Sequence, residues 1–186
     1  MERRYHTRFV GLILALLALA GFVGSAAAME LESWDKKIPL ASDRFKVKSA
    51  FNNAAVLDKE TGLVWEKAPG DTDGDLDVDA DDKLMWAGAR LYCVDKNVGG
   101  RKGWRLPSVV ELASLVDPAN SNPALPTGHP FINIQSAAYW SASTLASDPT
   151  LAWVVFFNNG SVGFGNKTLT DSFVWCVRGP MQESEY

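Results

Sequence analysis

The sequence predicts an α+β domain. Three observations carry that expectation. Two stretches, 83–94 and 108–116, have helical period and defined boundaries. Short apolar runs separated by turn residues lie at 55–65 and 138–178. Seven tryptophans and nine phenylalanines supply a solid core for a chain of 186 residues.

The sharpest local signal is the stretch 99–116. Gly99, Gly100 and Gly103 give the backbone freedom to turn, and Trp104, Arg105, Leu106 and Pro107 lead into a helix start. Ser108 and Glu111 have capping-box spacing, in which the hydroxyl accepts from the amide three residues on and the carboxylate reaches back. Val109, Leu112, Leu115 and Val116 form one apolar face before Asp117-Pro118 ends the helix. This helix positions other groups, and Glu111 is accounted for by the cap. Upstream, Ala55-Val56-Leu57 and Leu63-Val64-Trp65 read as a hairpin around 58–62. Lys83 to Val94 reads as a second helix with Leu84, Ala87, Leu91 and Val94 on one face. Residues 117–130 hold four prolines and few apolar residues, a long loop of the kind that often carries function. Strands follow at 138–143, 151–157, 161–165 and 172–178, with Asn158-Asn159-Gly160 as a hairpin turn.

The N-terminus reads as a signal peptide. Arg3, Arg4 and Arg8 precede an apolar run from Phe9 to Val23, and Ser25 to Ala28 supplies small residues for cleavage after Ala28. A retained membrane anchor is the alternative, disfavoured by the short run and its small-residue flank. The boundaries expected from the sequence are therefore 1–28 signal peptide, 29–49 leader segment, 50–179 folded domain and 180–186 polar tail. Removing 1–28 leaves 15 basic against 21 acidic residues, a formal charge of −6. That balance, with no basic run, argues against nucleic acid. The destination is the periplasm or the exterior, with no stable membrane anchor after cleavage. Cys93 and Cys176 are the only cysteines, and in an oxidising compartment a disulfide is the default. It would close a loop of about 80 residues, worth about 4–5 kcal/mol in the chain-entropy model. The alternative, a reactive thiol, needs a base, and His129 is the only histidine beyond residue 28.

The one stretch with explicit chemistry runs from Asp71 to Asp82, seven carboxylates in twelve residues. Such crowding is repulsive unless a cation sits among the acids, and oxygen ligands at alternating positions suit calcium. Numbered from Asp71, acids fall at positions 1, 3, 5, 7, 9 and 12, with Gly74 at position 4 and Val78 at position 8. The pattern resembles the EF-hand loop and, more closely, its dockerin variant. That resemblance implies side-chain binding by Asp71, Asp73, Asp75 and Asp82. It implies binding through the Asp77 carbonyl, and through Asp79 directly or by way of a water. Leu76 stands where the motif has glycine, and no second repeat is present, so partner binding of the dockerin kind does not follow.

Several motifs together resemble one bacterial family. They are Gly103-Trp104-Arg105-Leu106-Pro107 before Glu111-Leu112, Tyr139-Trp140-Ser141, Ala152-Trp153, Phe157-Asn158-Asn159-Gly160 and Trp175-Cys176-Val177-Arg178-Gly179. The family is the domain of unknown function typified by the C-terminal domain of the Legionella collagen-like adhesin, and the resemblance spans about residues 50–179. It implies a C-type lectin-like fold, two helices and a small twisted antiparallel sheet with long loops. It also implies a bridge from the first helix to the last strand, the two places where Cys93 and Cys176 fall. The Arg-Leu-Pro stretch is similar to formylglycine-generating enzymes too, but those need a working cysteine pair.

Function follows as expectation. The adhesin member implies a secreted, non-catalytic binding module for glycans or cell surfaces, with contacts from the loop 117–130, Asn158 and Asn159. The sugar-binding signatures of calcium-dependent lectins are absent, so the cation of the acidic loop is expected to be structural. An envelope protein as partner is the alternative. An enzyme is not expected: the chain past residue 28 has one histidine, no Gly-x-Ser-x-Gly and no histidine metal cluster.

Overall fold

The computed structural model describes residues 37–75 and 77–179. The expected signal peptide 1–28, the first part of the expected leader, Leu76 and the expected tail 180–186 lie outside the described residues. The architecture is α+β: three α-helices, a 3-10 turn and two small antiparallel sheets among the described residues. None of these helices is long and apolar enough to cross a membrane.

The first sheet has the order β1-β2-β3-β7, from Phe45–Val47, Ala55–Asp58, Val64–Glu66 and Val177–Arg178. The second is the meander β4-β5-β6, from Ala138–Thr144, Leu151–Phe156 and Ser161–Asn166. The hairpin read at 55–65 is β2 and β3, in register through Val56 opposite Trp65. Residues 41–47, assigned by the sequence to a leader, join the domain instead. A short helix α1, Ala41–Arg44, leads into β1, which pairs with β2. Arg44 is buried and grips Asp58 with two hydrogen bonds of 2.9 and 2.7 Å. It also contacts Glu60 at 2.8 Å and donates to the Ser114 carbonyl. A buried guanidinium needs these partners, because an unpaired buried charge costs several kcal/mol.

The last segment ties the sheets together. Only Val177–Arg178 forms a strand; of residues 172–176, expected to belong to it, Ser172 and Phe173 make single bridges instead. Ser172 bridges to Leu84 and Phe173 to Tyr139, while Val177 pairs with both Trp65 and Arg105. Its side chains alternate between two cores. Phe173, Trp175 and Val177 enter one, with Trp65, Leu112, Tyr139 and Phe157. Val174 and Cys176 enter the other, with Ala89, Cys93, Trp104, Trp140 and Val154. A segment buried on both faces reads as a continuous apolar run, as Phe173 to Val177 does.

Helix α2, Trp86–Asp95, buries Ala89 and Cys93. The apolar face read from periodicity is not the one the helix buries: Leu91 and Val94 are 65% and 60% exposed. The rotation is set by anchors that periodicity does not register. Trp86 Nε1 donates to the Ser141 carbonyl at 2.8 Å, Tyr92 Oη donates to the Asp71 carbonyl at 2.7 Å, and Cys93 is bonded to Cys176. Helix α3, Val109–Ala113, carries the predicted capping box, with both reciprocal hydrogen bonds formed. It is shorter than the apolar pattern suggests. After Ala113 the chain tightens into i→i+3 bonds, from Leu115 to Leu112 and from Val116 to Ala113, which still deliver Leu115 to the core.

Candidate metal centre

The loop 71–82 is built from short local hydrogen bonds. Asp71 accepts from the Gly74 amide at 2.7 Å, Asp73 from Asp75 at 3.2 Å, Asp75 from Asp77 at 3.0 Å and Asp79 from Asp81 at 2.8 Å. Aspartate favours these turns because its short carboxylate reaches the amide two or three residues on. Asp82 closes the ring. Its two oxygens accept from the amides of Thr72 and Asp79, and its carbonyl accepts from the Thr72 hydroxyl at 3.0 Å. Asp82 is shielded from water while most of the other carboxylates are open to it.

Two groups of carboxylates converge on that residue. Asp71, Asp73 and Asp82 can each offer an oxygen within 4.8 Å of the others, and so can Asp77, Asp79 and Asp82. Either group could hold a metal ion, and hard oxygen donors of this kind match a hard cation. Asp75 joins neither group, while Asp77 and Asp79 each bring a carboxylate oxygen to the second. The electrostatics follow from the crowding. The Asp75 charge, with burial and then Asp79, Asp82 and Asp73 adding to it, lifts the Asp77 carboxyl above its ordinary range. Burial pushes the Asp82 carboxyl up, but the amides of Thr72, Asp79 and Asp73 outweigh it and hold it below the ordinary value. A cation placed in the ring would relieve the repulsion that Asp77 registers.

The loop is fastened to the domain at two points. Tyr92, from α2, holds the Asp71 carbonyl, and the Lys96 ammonium in turn contacts the Tyr92 hydroxyl. Val78 packs against the first core, and Gly70, at φ +109°, lies under it; a Cβ there would sit 2.8 Å from Val78 Cγ1. Tyr92 and Lys96 were not found by sequence reasoning. Nothing in the spacing of a tyrosine beside a cysteine announces a contact to a carbonyl 21 residues away.

Cys93 and Cys176 form a disulfide with Cα atoms 5.4 Å apart, joining α2 to the last segment. Asn158 and Asn159 occupy the β5–β6 turn and are exposed. The Asn159 side chain is engaged locally, accepting from the Ser161 amide and hydroxyl at 3.0 and 2.8 Å. The long loop lies against this turn: the Asn122 amide donates to the Asn158 carbonyl at 3.1 Å and Ala124 to Phe157 at 2.7 Å. Two regions read separately from the sequence thus form one surface.

An α+β module whose central helix is bridged to its final segment, with a ring of aspartates ahead of that helix and long loops gathered on a hairpin turn, defines a disulfide-stapled domain with a candidate metal loop. The model of the Lcl C-terminal domain matches residues 54–178, and the chain belongs to that family, the family of the Legionella collagen-like adhesin C-terminal domain. A comparison with the curated proteins finds no match.

Proposed function

We propose that this chain is an exported, non-catalytic binding module of the C-type lectin-like type, working in the periplasm or beyond and binding glycans or other cell-surface groups. The observation that carries this reading is the family match over 54–178, which relates the chain to an adhesin's C-terminal domain. Docking of the loop 117–130 on the turn at Asn158 and Asn159 supports it, since it builds one presented surface. Both cysteines are bonded to each other and cannot serve as nucleophiles or copper ligands. A glycan array with purified protein, with and without calcium, is expected to show binding to a restricted set of glycans. Replacing Asn158 and residues of the loop should remove it, and silence in both conditions would overturn the glycan reading.

Calcium is the proposed occupant of the acidic loop, held by Asp71, Asp73, Asp77, Asp79 and Asp82, with Asp75 near the ring. Its role is structural: the loop is tied to α2 through Tyr92, not to the surface formed by the loop 117–130 and the turn. Titration with calcium is expected to give a saturable heat, with a Kd of about 10⁻⁴ M or tighter, in the range of extracellular calcium modules. At about 100 times that Kd the fold should gain about 2.7 kcal/mol. Asp73→Ala, at an exposed residue, should weaken binding about ten-fold without unfolding the cation-free protein. The absence of both heat and thermal shift at millimolar calcium would refute it. A second reading, an envelope protein partner without glycan binding, is favoured by Val162, Phe164 and Leu169, exposed on the edge strand β6 and the turn after it. Pull-down from envelope extract separates the two.

A further inference from the structure

Lys96, which contacts the Tyr92 hydroxyl, also lines a cleft of about 400 Å³ that none of the functions above uses. One wall is the turn 52–54, another is 96–99, and Glu66, Lys67 and Ala68 complete it with Ile132. The volume falls in the range that small-molecule sites occupy.

The cleft is built by specific backbone geometry. Asn52 and Asn53 both have left-handed conformations, φ 52° and 60°, a state costly for side-chain-bearing residues and enriched at ligand clamps. Gly99 presses on the carbonyl of Phe51, where a Cβ would come within 2.1 Å of the oxygen, so only glycine lets the two walls meet. Arg101 Nε donates to the Ala50 carbonyl at 3.0 Å and fastens the same walls below.

Its charged lining is one carboxylate, Glu66, and two cations, Lys67 and Lys96. The Glu66 carboxylate is 2% exposed, and both its oxygens are engaged: one accepts from the Cys176 amide at 2.9 Å, the other contacts Lys96 Nζ at 3.1 Å. Lys96 is partly exposed, and its ammonium carries three donors, of which Glu66 and the Tyr92 hydroxyl take two. Lys67 lines the cleft and makes no ion pair among the described residues, and Asn52, Asn53 and Asn97, whose side-chain amides can donate or accept, complete the lining. The acceptor of this pair is 2% exposed and its cation 22%.

We propose that this cleft is a binding site for a small carboxylate-bearing molecule, of sugar-acid or dipeptide size, whose carboxylate is held by Lys96 and Lys67 and oriented by Asn52, Asn53 and Asn97. Glu66 is a positioning residue: it fixes the Lys96 ammonium and does not touch the ligand. The site stands apart from the surface at Asn158 and Asn159, so its fate and that of the glycan reading are independent.

Amide-resolved NMR titration of the intact protein tests it with two matched pairs: glucuronate against glucose, and acetyl-Ala-Ala against its C-terminal amide. Saturable shifts at residues 52–54, 66–68 and 96–99 are expected with at least one acid and not with its neutral partner. The acid that binds identifies the source of the carboxylate. Lys67→Gln, outside any ion pair, should weaken binding about five-fold. The paired replacement Glu66→Gln with Lys96→Met removes the cation without stranding the buried acid and should weaken it about ten-fold or more. If the paired variant fails to fold, Lys67→Gln alone decides. No saturable shift from either acid, equal shifts from a neutral partner, or unchanged affinity in Lys67→Gln would overturn the proposal.

Discussion

Replacing both bridged cysteines, Cys93→Ala with Cys176→Ala, is expected to lower the unfolding free energy by about 3–5 kcal/mol. The midpoint of thermal unfolding should fall by about 10 °C. The bridge joins residues 83 apart, so without it the unfolded chain regains most of the freedom of a long loop. Two native-state effects add to that term. Both residues are fully buried, so each truncation leaves a small void between Ala89, Trp140 and Val174. Cys176 also sits where the last segment crosses between the two cores, donating its amide to Glu66. Loosening that crossing weakens the floor of the cleft and both sheets' hold on the segment. Urea unfolding followed by tryptophan fluorescence measures the loss. A change under about 1 kcal/mol would mean that the bridge does not constrain the unfolded state as the chain-entropy account requires. Because both sulfurs are buried, mild reductant should leave the folded protein intact and act once unfolding begins.

That pairing was legible in the sequence because a chain with two cysteines leaves one intramolecular choice. The capping box was legible because Ser108 and Glu111 carry their signal in three residues of spacing. The hairpin at 55–65 and the meander from 138 to 166 were legible because their turns are marked by Gly62 and by Asn158-Asn159-Gly160. What failed depends on contacts distant in sequence. Phe45–Val47 joins the first sheet because Arg44 finds Asp58 and Glu60, and no local pattern marks three residues as a strand. Helix α2 turns its less apolar side inward because Trp86, Tyr92 and Cys93 are each held by partners 21 to 83 residues away. Ser172 to Cys176 keeps the composition of a strand, yet it is spread over several neighbours, pairing briefly with each. In the acidic loop the alternation of aspartates announced the chemistry. The division into two groups that share Asp82 could not be read from spacing, because it depends on the Thr72 and Asp79 amides that fix that carboxylate.

Glu111→Ala should be among the most damaging single changes in the domain, costing about 3–5 kcal/mol by the mechanism of a broken buried ion pair. Glu111 is fully buried, and one of its oxygens accepts from the Ser108 amide at 2.8 Å and from Arg105 Nη1 at 2.7 Å. The other accepts from Arg105 Nη2 at 2.6 Å, so the guanidinium is held in a two-point fork. The carboxylate therefore does two jobs that the capping box alone does not reveal: it closes the start of α3 and it neutralises the arginine of the strand-like stretch before it. That stretch is paired on its other side, since Arg105 exchanges two backbone hydrogen bonds of 2.9 Å with Val177. Pro107 and Val109 extend the joint to the second sheet, through Ala142 at 2.7 Å and the Ser143 hydroxyl at 3.0 Å. Removing the carboxylate leaves a partly buried guanidinium without its fork partner and a buried amide without its acceptor. A graded series separates these contributions. Ser108→Ala should cost about 1 kcal/mol, the worth of a lost N-cap. Glu111→Gln keeps an acceptor for the Ser108 amide but loses the charge, and should cost about 1–3 kcal/mol. Denaturant unfolding of the three variants is expected to rank them Ala above Gln above the serine change. Equal small losses in all three would mean that Glu111 acts as a cap only, and that the Arg-Leu-Pro stretch is held in place by its pairing with Val177.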